Sequence, residues 1–465
     1  MRIVLAVAGV TAVVSAGTAV PAVARPAAVQ SAAGPGVSGW GYNGLGELGD
    51  GTTTQRNSPV QVSGLPGTVR QIAAGQVTSA AVLSDGSVWA WGDNFNGVLG
   101  NGTFCNCAVT TPRQVPGVSA ITEVAVSIGS NDVYAVRSDG SLWAWGSNQW
   151  GQLGNGTTAS SYTPVQVPGL TGITQVSGGP SYVLAVRSDG TVWAWGDNSF
   201  GELGDGTTVS HLAPEQVPGL TGIRQVSASG PSFAVRSDGT LFAWGPDNYG
   251  VLGNGTAGGF VTSPVPVPGL TGITQVASSD GNVLALAGSG GTVWAWGINN
   301  NGQLGDGTTT SRLSPEPLPL TGITQIAITY YNSAAVRSDG TLWTWGDNSA
   351  GQLGTGICCA AANPVPVQVT ALTGVSQVAA GGGYDLAVGS SAVATVPGLI
   401  GDTTAQASQA LQAAGLVLGT VYTAVDNTCN NIGTVMSQNP AAGSIAYRGS
   451  AVSITIGKRP PRPCP

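Results

Sequence analysis

Short runs in which apolar and polar residues alternate recur along most of the chain, separated by turns rich in Gly, Pro and Asp. Alternation with a period of two is typical of half-buried β-strands. The unit around Trp195 has four such runs, at residues 165–167, 173–176, 182–187 and 191–196. Asp189 and Gly190 lie between the last two runs and suit a tight hairpin turn. The pattern therefore predicts four antiparallel strands per unit.

The unit repeats with a nearly fixed period. A Trp-Gly dipeptide ends each unit, and successive tryptophans of this dipeptide are 49 to 54 residues apart: Trp40, Trp91, Trp145, Trp195, Trp244, Trp296 and Trp345. Four antiparallel strands in a repeat of this length form the blade of a β-propeller. In most units a second aromatic residue lies two positions earlier, so both rings lie on one face of the strand and are expected in the core.

Each end of the repeat region holds part of a unit. Residues 37–41 form a Trp-Gly strand without its three predecessors, whereas residues 375–388 supply earlier strands without their Trp-Gly strand. Together they make one blade, and a ring closed in this way leaves no free sheet edge. We therefore predict an all-β fold, a seven-bladed β-propeller over residues 36–390 that is closed by strands from both ends. Residues 37–40 are expected to pair beside 384–388.

The pattern changes after residue 390. Thr403 and Gln406 have the spacing of a capping box, Ala407 and Leu411 fall on one helical face, and Gly415 ends the helix. Strand-like runs follow at residues 416–422, 433–437 and 451–456. One helix on a small sheet predicts an α+β domain over residues 391–458. We expect residues 389–394 to be a linker that few contacts cross, and 459–465 to be a Pro/Arg tail.

The N-terminal 24 residues resemble a secretory signal peptide. Arg2 precedes an apolar stretch that ends in an A-x-A cleavage site at Ala22 and Ala24. An uncleaved membrane anchor is the alternative, although the stretch is rich in Ala, Gly and Thr. We expect a secreted protein without a membrane segment after cleavage, and a linker at residues 25–35.

The amino-acid composition and net charge limit the kinds of molecule that the protein is expected to bind. Only 8% of residues are charged while 13 are tryptophan, a balance typical of a folded chain. Removing the signal peptide takes away one arginine and no acid, so the net charge of 14 minus 22 is −8. A surface that binds nucleic acid needs clustered Lys and Arg, and here the one basic cluster lies within the last eight residues. No nucleic acid and no cofactor are expected, and the chain is expected to be a monomer.

The repeats resemble those of the regulator-of-chromosome-condensation family. The resemblance lies in the order of five motifs: Ser-Asp-Gly, Trp-x-Trp-Gly, Asn, Gly-Gln-Leu-Gly-x-Gly and Pro-x-x-Val. It covers residues 37–388. Kelch repeats have a similar period without this order. A histidine usual in the family is replaced, for example by Thr78, Ser181, Asn282 and Asn332. The function of the family's eukaryotic members, nucleotide exchange included, should therefore not be carried over.

The C-terminal segment resembles the PASTA domain of penicillin-binding proteins and receptor-type kinases. The resemblance lies at residues 396–401, 410–416 and 437–443. It implies affinity for cell-wall peptidoglycan or muropeptides, or a structural role near the wall.

Six cysteines, an even number, fit an oxidising compartment. We predict a disulfide between Cys429 and Cys464, because both lie in the PASTA-like region. The remaining four would pair locally or across neighbouring loops; they are Cys105, Cys107, Cys358 and Cys359. Metal binding is the alternative, and it would need further pairs or histidines of suitable spacing. We expect no metal site.

The residue before the loop glycine is aromatic in three successive units, at Trp150, Phe200 and Tyr249. Rotation from blade to blade should place these side chains in an arc on one rim, and aromatic arcs are typical of binding hot spots. The alternative is that they pack the loop. We expect the repeated aspartates of the hairpin turns to be structural, and His211, the one histidine, to be ordinary surface.

These observations favour a secreted, cell-wall-associated interaction protein. Its propeller loops would engage a protein partner, and its PASTA-like domain would bind peptidoglycan. An inhibitor of a secreted enzyme is the alternative, because a β-lactamase inhibitory protein of the second type resembles this propeller. A polysaccharide-cleaving propeller is disfavoured, since the chain has one histidine and most acids lie in turns. We therefore expect no catalytic residues.

Overall fold

The computed structural model describes residues 36–288, 290–359, 362–448 and 450–461. The signal peptide expected at residues 1–24 and the linker at 25–35 lie outside the described residues, so both stay predictions. Residues 462–465 of the expected tail also lie outside them.

The described part of the chain begins with two strands, β1 (Gly36–Gly41) and β2 (Arg56–Gln61). Three four-stranded antiparallel blades follow, each in chain order. Blade 1 holds β3 (Val69–Ala74), β4 (Thr78–Leu83), β5 (Val88–Asn94) and β6 (Cys105–Gln114), with a short 3-10 segment at Phe95–Gly97. Blade 2 holds β7 (Ile121–Val126), β8 (Asp132–Arg137), β9 (Leu142–Gly146) and β10 (Ser161–Gln166). Blade 3 holds β11 (Ile173–Gly178), β12 (Tyr182–Arg187), β13 (Val192–Gly196) and β14 (His211–Gln216).

Three further blades repeat this arrangement. Blade 4 holds β15 (Ile223–Ala228), β16 (Ser232–Arg236), β17 (Leu241–Pro246) and β18 (Phe260–Pro266). Blade 5 holds β19 (Ile273–Ser278), β20 (Asn282–Ala287), β21 (Thr292–Gly297) and β22 (Arg312–Pro317). Blade 6 holds β23 (Ile323–Ile328), β24 (Asn332–Arg337), β25 (Leu342–Gly346) and β26 (Asn363–Gln368). Two more strands follow, β27 (Leu372–Ala380) and β28 (Tyr384–Ser391).

The seventh sheet, which we call the closing blade, has the strand order β2-β1-β28-β27. Its central pair runs from Gly36 opposite Gly389 to Gly41 opposite Tyr384, which confirms the predicted pairing of residues 37–40 beside 384–388. The all-β seven-bladed fold closed by both ends is thus confirmed. The predicted strand count of the closure was wrong, because each end contributes two strands rather than one and three.

The reason is a shift between the sequence unit and the blade. The run at residues 165–167 was assigned to the unit of Trp195, but it belongs to β10, which pairs with β9 of blade 2. Each blade therefore begins at its Ile-x-Gln or equivalent strand and ends with the outer strand that follows the Trp-Gly strand. A short alternating run does not indicate whether it pairs with the strand before it or the strand after it. The pattern alone therefore did not determine where one blade ends and the next begins.

A buried indole joins each blade to the one before it. Trp195 is fully buried, and its Nε1 donates to the Gln152 carbonyl of blade 2 at 2.8 Å. Gly204 has a φ of +72° and lies so close to the indole of the next blade that a Cβ would be 2.6 Å from Trp244 Nε1. The same bond joins Trp40 to Gln352, Trp91 to Glu47, Trp145 to Val98, Trp244 to Glu202, Trp296 to Val251 and Trp345 to Gln303. The Trp-Gly strands thus hold the seams of the ring.

A second set of contacts joins the innermost strands. Gln175 Nε2 donates to the Val226 carbonyl at 3.2 Å, and Gln175 Oε1 accepts from Val226 N at 2.8 Å. A side-chain amide suits this bridge because it both donates and accepts. Equivalent pairs of bonds are made by Gln71, Gln225, Gln275, Gln325 and Gln377. Blade 2 has Glu123 at this position.

The C-terminal domain is built from β29 (Val393–Thr395), α1 (Thr404–Ala413), β30 (Val417–Val425), β31 (Val435–Asn439), β32 (Ile445–Tyr447) and β33 (Ala451–Lys458). Thr403 and Gln406 form the predicted capping box. The buried Ala407 and Leu411 face a core made of residues of this domain alone. β33 lies between β30, to which it is parallel, and β31. One helix against a small sheet confirms the predicted α+β domain.

The connection between the two domains differs from the expected linker. β28 continues to Ser391, and Ala392 is buried. Ala392 N donates to the Ala371 carbonyl of the propeller at 2.8 Å, and Arg448 N of the C-terminal domain donates to the Ala392 carbonyl at 2.6 Å. The small residues at 389–394 had suggested a linker that few contacts cross, but Ala392 is hydrogen-bonded to both domains.

Candidate functional site

The loops that follow the Trp-Gly strands lie at one end of the blades, together with the loops that join the first and second strands of each blade. We call this end the loop face. In blade 3, Asn198 Nδ2 donates to the carbonyls of Thr207 and Val209, and Asn198 Oδ1 accepts from Leu203 N at 2.9 Å. One asparagine side chain thus holds both halves of the loop and fixes its shape.

The predicted aromatic residues lie at the tips of these loops. Trp150, Phe200 and Tyr249 belong to blades 2, 3 and 4, and their exposed fractions are 50%, 53% and 43%. The Phe200 backbone N donates to the Glu202 carboxylate at 2.8 Å, so the main chain of the loop is held in place. About half of each residue is therefore exposed, and a binding role for these three residues stays a prediction.

Apolar residues of neighbouring outer strands extend this surface. Phe260 of blade 4 packs edge-on against Phe200 of blade 3, with ring centroids 6.2 Å apart. Leu212 lies against the Gly151 backbone, where a Cβ would be 2.5 Å from Leu212 Cδ2, and Leu313 lies in the same way against Gly250. We call Trp150, Phe200, Tyr249, Leu212, Phe260 and Leu313 the aromatic rim.

The last three members of this rim were not predicted from the sequence. Leu212, Phe260 and Leu313 are exposed apolar residues near the start of an outer strand. An apolar residue that recurs at this position could have indicated a surface patch. It could not be related to Trp150, Phe200 and Tyr249 while the outer strands were assigned to the wrong blades.

Two tyrosines continue the rim toward blade 6. Tyr330 and Tyr331 lie between β23 and β24, and their ring centroids are 4.8 Å apart. Burial, together with a hydrogen bond that the Tyr330 hydroxyl donates to the Tyr249 side chain, raises the pKa of Tyr330 to about 12. The Tyr330 phenol therefore stays neutral at physiological pH.

The one histidine has a structural partner. His211 Nε2 lies 2.8 Å from Asp205 Oδ2 at the start of the outer strand of blade 3. Two other blades use arginine in the same place, with Arg56 at 2.6 Å from Asp50 and Arg312 at 2.7 Å from Asp306. His211 thus occupies a position where the repeat places a cation near the loop aspartate.

The aspartates of the hairpin turns serve the turns, as predicted. Asp189 Oδ1 accepts hydrogen bonds from Thr191 Oγ1 at 2.6 Å and Thr191 N at 3.0 Å. These two bonds lower the pKa of Asp189. The same turn contacts are made by Asp85, Asp139 and Asp339.

The cysteines of the propeller pair locally. Cys105 is bonded to Cys107, and Cys358 to its neighbour Cys359. Of the two expected arrangements, local pairing is the one observed. Cys429 is not free, whereas Cys464 lies outside the described residues. The predicted bond between these two cysteines therefore stays a prediction.

Within the described ranges, no cluster of three His, Cys, Asp or Glu side chains could hold a metal ion. Nor does that part of the chain contain a helix both long and apolar enough to cross a membrane.

Comparison with protein families agrees with this architecture. The model of the RCC1-like domain matches residues 10–281, which is more than half of the chain. Models of the regulator of chromosome condensation (RCC1) repeat match residues 290–336 and 339–388. The PASTA domain model matches residues 394–458.

Two curated proteins are similar to about a quarter of the chain. The human E3 ubiquitin-protein ligase HERC2 is 33% identical over 127 residues, which are 27% of this chain and 3% of HERC2. The ultraviolet-B receptor UVR8 of Arabidopsis thaliana is 33% identical over 126 residues, which are 27% of this chain and 28% of UVR8. The chain thus matches less than a third of either relative.

Two solved structures have the same fold. Prp20p of Saccharomyces cerevisiae, described with its binding to Gsp1p and histones, superposes with a TM-score of 0.69 at 22% identity, over 78% of this chain and 92% of Prp20p. Human WBSCR16 superposes with a TM-score of 0.67 at 22% identity, over 77% of this chain and 99% of WBSCR16. At this identity the likeness concerns the fold alone.

Proposed function

The chain belongs to the RCC1-like domain family and ends in a PASTA domain, and from this premise we propose that it is a secreted, cell-wall-associated binding protein. In this proposal the aromatic rim engages a protein partner, and the PASTA domain holds the protein at peptidoglycan. The chain acts by binding and performs no catalysis.

One observation carries the proposal for the propeller: the exposure of aromatic rings on successive blades. Trp150, Phe200 and Tyr249 stand on loops whose backbones are held by side-chain hydrogen bonds. Large apolar side chains on a rigid base lose little conformational entropy on binding, and Trp and Tyr are enriched among residues that dominate protein interfaces.

Acidic composition and the chemistry of the turns support a binding role without catalysis. The repeated aspartates are engaged in their own turns, and His211 is engaged by Asp205. The formal net charge of −7 disfavours nucleic acid as the partner.

Secretion is supported by the N-terminal sequence pattern and by the cysteines. Arg2, the apolar stretch and the A-x-A site have the order of a signal peptide. The paired cysteines at 105 and 107 and at 358 and 359 suit an oxidising compartment.

The wall-binding half can be tested with purified peptidoglycan. The two domains have separate cores, so a chain that ends at Ala392 should remain folded. We expect the full chain to sediment with peptidoglycan and the shortened chain to stay in the supernatant. Circular dichroism and the melting temperature of the shortened chain serve as the folding control. A shortened, folded chain that still sediments would assign wall binding to the propeller instead.

A further inference from the structure

Three tyrosines and one aspartate lie close together on the loop face. Tyr330 and Tyr331 belong to the loop between β23 and β24 of blade 6, and their ring centroids are 4.8 Å apart. The Tyr330 hydroxyl donates to the side chain of Tyr249, a residue of the aromatic rim on blade 4. Asp280 belongs to the equivalent loop of blade 5, between β19 and β20. We call these four residues the tyrosine cluster.

Contacts with the blades on both sides place Asp280 in this cluster. The next residue, Gly281, lies so close to Tyr330 that a Cβ on this glycine would be 3.1 Å from Tyr330 Cε2. On the other side, the Asp280 carboxylate lies against Gly230 of blade 4, where a Cβ would overlap it. Asp280 is nevertheless exposed to solvent. Its carboxylate is therefore held at the surface between the inner loops of neighbouring blades.

No group of the described chain balances the charge of Asp280. Among the described residues, no cation lies within ion-pair distance of this carboxylate, and none donates a hydrogen bond to it. Its neighbours remove part of its water, which raises the pKa of Asp280 above its usual value. The hairpin aspartates differ, since Asp238 accepts from Thr240 N and pairs with Arg236. Asp280 is therefore available to a cation from another molecule.

The other charges of the loop face also favour a cationic partner. Within the described part of the propeller, the cations at this end are each paired with an aspartate of the same loop: Arg56 with Asp50, His211 with Asp205 and Arg312 with Asp306. Asp197 and Asp347 are accessible acids at this end without a cationic partner. The arginines of the hairpin turns lie at the opposite end of the blades. Such an uneven distribution of charge attracts positively charged surfaces to the loop face.

From this arrangement we infer that the loop face binds a protein partner through an arginine side chain, which the tyrosine cluster receives while the aromatic rim contacts apolar residues around it. A guanidinium forms two parallel hydrogen bonds with a carboxylate and stacks on aromatic rings. Asp280 supplies the carboxylate, and Tyr249 and Tyr331 supply exposed rings. The inference rests on the proposed binding of a protein by the rim and adds the chemistry of that partner.

A short peptide with an arginine between apolar residues tests the site. The full chain is titrated in a calorimeter with acetyl-Trp-Arg-Leu-amide, and with the same peptide carrying citrulline, which keeps the shape of arginine without its charge. Asp280→Asn should weaken binding of the arginine peptide about tenfold and leave binding of the citrulline peptide unchanged, because hydrogen bonds between charged groups are strong. Asp197→Asn is the matched control, since it removes the same charge from blade 3 and should change the affinity less than about twofold.

A second pair of variants tests the contribution of the aromatic ring. Tyr331→Phe keeps the ring and should bind the arginine peptide as the native chain does, whereas Tyr331→Leu should bind it about threefold more weakly. The melting temperature of each variant shows whether the fold is retained. Equal affinity of these two variants would mean that the ring does not contact the arginine.

The remaining outcomes separate this site from the proposed function. Equal affinity of the native chain and Asp280→Asn for the arginine peptide overturns the site, as does equal affinity of the native chain for both peptides or no binding at millimolar concentration. A lysine peptide that binds as tightly overturns the assignment to arginine. If Asp280→Asn captures a partner from the secreted fraction as well as the native chain does, the proposed function stands and the site is wrong. Weaker binding of the arginine peptide alone supports the site, whether or not a secreted partner is captured.

Discussion

Glu123 Oε1 accepts a hydrogen bond from Val176 N at 3.3 Å, across the seam between blades 2 and 3. The other six blades have glutamine at this position, and each glutamine also donates to a carbonyl of the next inner strand. An ionised carboxylate has no proton to donate, whereas a protonated carboxyl, like an amide, can both donate and accept. The seam at Glu123 is thus complete only when this side chain is protonated.

This relationship predicts a specific pH dependence of stability. Burial raises the pKa of Glu123 from its usual value near 4.5 to about 7. The folded protein therefore binds the proton more tightly than the unfolded chain. The stabilisation is fully present below about pH 4.5 and is lost as the pH rises through about 7.

We expect Glu123→Gln to raise the free energy of unfolding at pH 8 by about 1–3 kcal/mol and to have little effect at pH 4.5. Urea unfolding of both proteins across this pH range measures the difference. Gln175→Glu is the reciprocal variant, and it should destabilise the next seam at pH 8. Parallel pH curves for the native protein and Glu123→Gln would contradict the assignment.

Because the indoles between blades are buried, we expect their removal to lower the free energy of unfolding strongly. Trp195→Ala removes a fully buried side chain and its bond to the Gln152 carbonyl, so the free energy of unfolding should fall by about 3–5 kcal/mol. Trp150→Ala is the control, since its half-exposed ring should cost less than about 1 kcal/mol. Equal stability of the two variants in urea would mean that the seam does not depend on the indole.

The aromatic rim predicts a separation of the two binding activities. Changing Trp150, Phe200 and Tyr249 together to Ser should abolish capture of a protein partner from the producing organism's secreted fraction, because each interface hot spot is worth roughly 2 kcal/mol or more. Sedimentation with peptidoglycan should not change. Tyr42→Ser with Phe95→Ser is the matched control, because these exposed aromatic residues belong to the closing blade and blade 1. A partner lost equally in both variants would argue against the rim.

The Cys429 to Cys464 disulfide remains to be tested chemically. Peptide mapping without reduction should recover these two cysteines in one cross-linked fragment, because the tail after β33 is long enough to return to Cys429, with an extended reach of about 3.3–3.6 Å per residue. The fragments that contain Cys105 with Cys107, and Cys358 with Cys359, should each carry an internal bond. Cys464 found free or in another fragment would contradict the pairing.

Features of the fold that depend on a few neighbouring residues could be predicted from the sequence. The Trp-Gly period indicated the blades, the half-units at the two ends indicated the closure, and Thr403 with Gln406 indicated the start of the helix. In each case the physical reason is short in range: strand alternation, turn geometry and helix capping act within a few residues.

Strand pairing at the outer edge of each blade, and the side-chain contacts between neighbouring blades, became known only from the tertiary structure. The outer strand β10 joins blade 2 through pairing with β9, although its residues equally suited the following unit. Phe200 meets Phe260 and Glu123 meets Val176 because rotation from blade to blade brings distant segments together. Such contacts depend on the register and orientation of whole sheets, which a local pattern of apolar and polar residues does not specify.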